Sequence, residues 1–349
     1  MVYQKNRDER NSEILSQIIQ LYTATAIPVS SKSVAESMDN IVSSATIRNI
    51  MAELEEDGFI EQPHTSAGRR PTDRGYRHYV DHLNGRLSLE KHKVKKFEEE
   101  FFEKVRSIKD LIEQSSHLIN RQLHYASAVM LPDTVSQYMK HLELLKIKSD
   151  TVMAVLVTMT NIVENYIIKL DGDIEKGQLN KIANFINEKC EGKKVSDILE
   201  YLKGVNSVAD KNSELGAMSA FAIRLIDGMA KTDIENEIFI TGMDCFSGQA
   251  DFSNSEDFRN LLKILSDKKL MMKIMKGELS AGGMRFYIGH ENEPEPLKKC
   301  SLVTFGYEFH GTPLGRIGII GPTRMHYENV FQTVNYLIEV LNSKIEGLS

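Results

Sequence analysis

No run of about 18 apolar residues occurs in this chain, so no transmembrane helix is expected. The first residues, MVYQKNRDERNSE, lack the apolar core of a secretory signal, and a cytoplasmic location is expected. Cysteine is scarce. Cys190, Cys245 and Cys300 are far apart, odd in number and form no C-x-x-C metal or redox pattern, so they are expected as buried reduced thiols. The ten histidines, among them His64, His78, His82, His290, His310 and His326, show no H-E-x-x-H or paired-ligand spacing, and neither metal nor cofactor is expected. "GELSAGGMRF" around Gly282 lacks the G-x-x-x-x-G-K of a phosphate loop. In "IGIIGPTR", Gly318 and Gly321 let a strand end before Pro322, and "TPLGRIG" has no Ser–His–Asp context. No enzyme is expected. A net charge of −6 excludes a protein that coats nucleic acid along its whole surface, but leaves room for one small basic site.

What is present is ordinary in bulk and specific in one place. With 41% hydrophobic and 26% charged residues over 349 positions, the chain is a globular protein of two or three domains. Leu87 to Gln122 reads as a long charged helix with an apolar stripe through Phe97, Phe101, Val105, Ile108 and Ile112. HYASAVMLP, HLELLKIKS, TVMAVLVTMT and NYIIKL then read as strands, and residues from about 173 to 235 as helices. The helix SEDFRNLLKILSD, three strand-like runs (MRFYIGHEN, CSLVTFGYEF, LGRIGIIGP) and a final amphipathic helix follow. Strands, helices and strands again predict a β-sheet domain interrupted by a helical insertion. No internal repeat or low-complexity segment is found.

The specific place is Ser43 to Val80, "SSATIRNIMAELEEDGFIEQPHTSAGRRPTDRGYRHYV". Glu13 to Tyr22 presents one apolar face, Pro28 breaks the chain, and Ser30 or Ser31 caps the short helix SKSVAESM. Ser43 caps a third helix, which Gly58 ends. Helix, short helix, turn, helix is the helix-turn-helix pattern. On the third helix Ile47, Ile50, Met51 and Leu54 face inward, while Ser43, Ser44, Thr46, Arg48 and Asn49 lie in its N-terminal half. Glu53, Glu55, Glu56 and Asp57 make the other end acidic, so the helix must enter a major groove N-terminus first. There Arg48 suits guanine O6/N7 and Asn49 adenine N6/N7. "FIEQPH" and "GRRPT", joined by "TSAG", form the hairpin of a winged helix, with Arg69 and Arg70 on the wing and Arg74 and Arg77 on the next helix. Residues 1–83 carry nine Lys+Arg against twelve Asp+Glu, a net of −3, so the site works by placement of charge rather than by its sum.

The run "PHTSAGRRPTDRGYRHYV" and the C-terminal "LGRIGIIGPTRMHYENV", Leu314 to Val330, closely resemble the HrcA family, the heat-inducible transcription repressors of bacteria. The resemblance anchors both ends of the chain. It adds His64 and Thr65 to the candidate DNA-contacting residues named above. It implies an α+β multidomain fold: an N-terminal winged helix-turn-helix (1–85), a GAF-like α/β domain with a linking helix (86–172 and 260–349), and an inserted helical-rich dimerisation domain (173–259). It implies a homodimer on double-stranded DNA bearing an inverted-repeat operator called CIRCE, kept active by the GroE chaperonin. A regulator with a small-molecule effector in the GAF-like domain is the alternative.

Overall fold

A computed structural model describes residues 7–64, 67–83, 108–130, 137–159, 161–170, 172–209, 213–232, 238–276, 283–309 and 312–348. Helix α1 (Arg7–Thr25) turns Ile14, Leu15, Ile18 and Ile19 into the core. Ser30 caps α2 (Ser31–Ser37) by accepting the Ser33 N–H. Asp39 and Asn40, both left-handed at φ +52° and +54°, turn the chain towards α3 (Ser44–Glu56). Ser43 caps α3 through the Thr46 N–H, and Gly58 (φ +75°) lets the chain leave it. The wing pairs β1 (Ile60–Glu61) with β2 (Arg70–Pro71), Ile60 opposite Pro71 and Glu61 opposite Arg70. Val29 and Arg69 exchange both backbone hydrogen bonds at 2.8 Å, so the segment between α1 and α2 lies along the wing. A Cβ at Gly68 would stand 2.4 Å from the Val29 carbonyl oxygen, which restricts that position to glycine. Helix α4 (Asp73–Leu83) closes the domain.

Of the expected Leu87–Gln122 helix, Phe97, Phe101 and Val105 lie outside the described residues; α5 (Ile108–Leu123) buries Leu111, Ile112, Leu118 and Ile119. The next unit is an antiparallel sheet in the order β7–β3–β10–β9–β8, made of Ile238–Thr241, Ala126–Met130, Thr312–Pro322, Cys300–Phe309 and Met284–Ile288. Strand alternation sends Val303, Phe305, Ile317 and Ile319 to the face covered by α5 and α11 (Tyr327–Leu348). Leu302 and Ile320 go to the opposite core, with α9 (Ser255–Ser266) and α10 (Lys268–Lys276). Met271, Met272 and Met275 are buried there, the core-packing role that their spacing favours.

The insertion leaves this sheet between β3 and β7, where Met130 is paired directly with Ile238. It holds β4 (Met139–Lys148), β5 (Thr151–Thr158) and β6 (Val163–Lys169), then α6 (Lys176–Cys190), α7 (Val195–Val208) and α8 (Glu214–Thr232). These elements share a core of their own, from Met139 to Met229. Sheet membership therefore departs from the expected division at 173–259. The strands of 139–169 belong with the inserted helices, and β7 with the main sheet. Strand-like composition marks a strand but not its pairing partner, which misplaced both edges of the insertion. Cys190 and Cys300 are buried, Cys245 is half-buried, and all three are free thiols that burial pushes upward in pKa.

The winged helix shares one hydrophobic core with the five-stranded sheet. The Tyr76 ring of α4 lies 5.7 Å from Tyr327 of α11, which lies 6.3 Å from Phe286 of β8.

Candidate nucleic-acid interface

Helix α3 has two faces with opposite tasks. Ile47, Ile50, Met51 and Leu54 are buried against α1 and α2, so the helix cannot roll. Ser43, Ser44, Thr46, Arg48 and Asn49 are exposed on the other side of its first two turns. The Ser43 and Thr46 hydroxyls are 2.9 Å apart and the Ser43 Oγ accepts the Thr46 N–H at 3.1 Å, so this pair is engaged in capping. Arg48 and Asn49 make no side-chain hydrogen bond or ion pair with the described residues, which leaves both free for an outside partner.

The acidic half of α3 is less negative than its sequence suggests. Glu53 takes an ion pair from Arg7 at 3.0 Å and a hydrogen bond from Asn11 at 3.2 Å. The Arg7 guanidinium holds that carboxyl below its ordinary pKa. Glu55 accepts from Arg69 Nε at 2.8 Å. Only Glu56 and Asp57 stay fully exposed, at the end furthest from Arg48. Sequence spacing carries no signal for Arg7, which lies 46 residues from its partner.

The four clustered arginines do different things. Arg69, half-buried, ties the wing to α3 through Glu55. Arg70, exposed, donates to Glu61 at 2.7 Å across the strand pair. Arg74, also exposed, holds its guanidinium 4.9 Å from the centre of the Phe59 ring. Arg77 turns away from the wing and donates to Glu291 and to the Phe286 carbonyl of the main sheet. His64 is exposed at the wing tip, and Thr65 lies outside the described residues. The structure thus gathers Ser44, Thr46, Arg48 and Asn49 on one helix face, with Arg70 and His64 on the adjoining hairpin, and leaves Arg77 out.

Residues 8–82 match the description "Winged helix-turn-helix transcription repressor, HrcA DNA-binding", and residues 109–331 match "HrcA protein C terminal domain". The chain belongs to the HrcA family. Its HrcA relatives include the heat-inducible transcription repressor of Pelotomaculum thermopropionicum, 33% identical over 342 residues that cover 98% of this chain and 97% of that one. The corresponding repressor of Ruminiclostridium cellulolyticum is 34% identical over 343 residues, 97% of each chain. A solved structure described as a hypothetical protein at 2.2 Å shares the fold, with a TM-score of 0.66, 23% identity and coverage of 98% of this chain and 99% of that one. The HrcA resemblance carried by the PHTSAGR run and the C-terminal signature therefore extends over nearly the whole chain, and the N-terminal domain is a DNA-binding winged helix of a transcription repressor.

Proposed function

We propose that this HrcA-family protein represses chaperone operons in the cytoplasm by binding, as a dimer, an inverted-repeat operator of the CIRCE type, and that the GroE chaperonin keeps it active. The observation that carries the reading is the exposed pair Arg48 and Asn49, unpartnered among the described residues, on the N-terminal half of a helix whose opposite face is buried. Those two side chains have the donor and acceptor pattern for G and A edges in a major groove.

Dimerisation has support from an unusual sheet. One face of β4–β5–β6 packs on the inserted helices, and the other carries two rows rich in apolar residues on either side of the Glu143–Val155–Asn165 row. Leu145, Met153 and Ile167 lie side by side across the three strands, as do His141, Val157 and Val163. Ile167 is 65% exposed and Val163 55%. An isolated antiparallel sheet normally alternates apolar-in with polar-out, so an apolar outer face calls for a cover. A second copy provides it, and a two-fold pair reads two half-sites. The small-molecule alternative has less support. Packed cores lie on both faces of the five-stranded sheet, and a Cβ at Gly318 would meet Met275 Sδ at 2.7 Å, so the space left is a cavity between α10 and the β8–β9 edge, lined by Leu270, Ile274, Tyr287 and Leu302.

A footprint of the purified protein on the promoter of a chaperonin operon, with no small molecule added, tests the reading. Protection of an inverted repeat is expected. Because domain stability is only about 5–15 kcal/mol, warming should deplete the binding-competent form, and added chaperonin should restore it. Heat-stable protection indifferent to chaperonin would remove the chaperonin from the mechanism.

The wing adds a separate expectation. Arg70→Ala should weaken specific and non-specific DNA alike and flatten the log–log salt slope by about 1, the signature of one lost phosphate contact. A constant slope with altered sequence preference would instead make Arg70 a base reader.

A further inference from the structure

We propose that a two-point clasp between α4 and the turn that follows β8 sets the angle at which the winged helix is presented, and so selects the spacing between operator half-sites. This rests on the two-fold operator reading above.

Asp73 and Arg77 stand four residues apart on α4, hence on one face. Opposite them is the short turn Gly289–Glu291. Asp73 Oδ2 accepts the His290 backbone N–H at 2.9 Å and lies 2.6 Å from His290 Nδ1. Arg77 Nε donates to Glu291 Oε1 at 2.8 Å, and Nη2 reaches both Glu291 Oε2 and the Phe286 carbonyl, the latter at 2.7 Å. Glu291 is itself held by the Ile288 N–H at 2.9 Å. An acid followed by a base on the helix meets a base followed by an acid in the turn. A shift of one helical turn in either direction would bring Asp73 or Asp81 to Glu291 in place of Arg77, so the pairing favours one register. The turn is shaped for it. Gly289 has φ +55°, and a Cβ there would stand 2.1 Å from Asp73 Oδ2, so a side chain would push the two elements apart.

Partly exposed ion pairs contribute little to affinity, about 0–1 kcal/mol each. The Tyr76–Tyr327 packing behind them brings the domains together; the bidentate, charge-crossed clasp supplies direction. Direction matters in a two-fold repressor. The inserted unit leaves the main sheet at the paired strands β3 and β7, so in a dimer joined through that unit the orientation of each winged helix on the main sheet helps to set how far apart the two α3 helices stand. A rigidly presented pair has a high effective concentration at one spacing and a low one at others. Arg77 thus acts on DNA recognition as a positioning residue.

The test uses full-length protein carrying Gly289→Ala or Glu291→Ala, both remote from α3, and Arg77→Ala. Each is titrated against a single half-site duplex and against paired half-sites whose spacer is shortened or lengthened by a few base pairs. Hydrogen exchange of the His290 amide reports whether the clasp is closed. In wild type we expect a protected His290 amide and a sharp optimum of spacing. In the Gly289 and Glu291 variants the amide exchanges freely, single half-site affinity is unchanged, affinity at the natural spacing falls about tenfold, and the optimum broadens. Arg77→Ala follows the same broadened profile. A spacing optimum that survives opening of the clasp overturns this proposal alone. So does loss of single half-site affinity in Arg77→Ala with wild-type profiles in the other two variants, which would return Arg77 to the DNA. A wild type with a protected amide that binds paired sites no better than single ones overturns the two-fold reading, and this proposal with it.

Discussion

Ile167→Glu is expected to make the protein monomeric and to abolish operator binding while leaving each subunit folded. Ile167 sits on the edge strand β6, beside Met153 and Leu145 across the sheet, with its side chain on the face turned away from the inserted helices. Its 65% exposure means that the subunit does not need it, and a surface change of this kind moves stability by only about 0.5 kcal/mol. In a two-fold dimer the same position occurs twice. Losing the burial of the exposed part of two isoleucines forfeits roughly 2–4 kcal/mol, before any cost of burying a carboxylate, so the dimer weakens by at least about 30-fold. Sedimentation should therefore show monomers at concentrations where wild type is paired. The monomer should still unfold cooperatively, with a midpoint lowered only by the loss of the dimer and no longer dependent on protein concentration, and footprinting should show no protection. A variant that stays dimeric would move the interface off this sheet, to the five-stranded domain or to α5.

How much of this was legible in the sequence depended on distance along the chain. Local chemistry was legible: the serines that cap α2 and α3, the left-handed Gly58 and the inward face of α3 all follow from neighbours within four residues. The wing was legible because two strand-like pieces flank a short Gly-containing loop. Pairing across the chain was not. The strands of 139–169 have the same β-branched character as β3, and only the direct pairing of Met130 with Ile238 shows that everything between them is an excursion. The bridge of Val29 to Arg69 was hidden for the same reason. So were the partners of the arginines. Clustered positive charge in sequence reads as one basic patch, whereas Arg69 and Arg77 are spent on Glu55 and on Glu291, the second 214 residues away. The apolar outer face of β6 was legible in part: Tyr166, Ile167 and Ile168 run consecutively, so that Ile167 points outward with Val163 while Tyr166 and Ile168 point to the buried face. A strand apolar on both faces announces burial without saying which face meets its own domain and which a partner.

The second large effect concerns base reading. Arg48→Ala is expected to cost about 1–3 kcal/mol of specific binding, five- to 150-fold in affinity, without disturbing the fold. Arg48 is exposed, its neighbour Ile47 is buried, and the cap at Ser43 is one turn away, so truncation at Cβ leaves the packing and the helix start intact. The approach to DNA is set by charge along α3. Its first two turns carry Arg48 and no acid, Glu53 and Glu55 are neutralised by Arg7 and Arg69, and the bare acids Glu56 and Asp57 lie at the far end. Phosphates repel that far end, so the helix is expected to enter a groove N-terminus first, with Arg48 and Asn49 leading. A residue that grips a base edge helps only on the right sequence. Affinity for scrambled DNA should therefore fall by no more than the loss of one charge implies, while affinity for the operator falls much further. The ratio of the two, measured at one salt concentration, is the decisive number. A ratio equal to wild type would make Arg48 one more phosphate contact and shift the reading of the operator to Asn49 and Thr46.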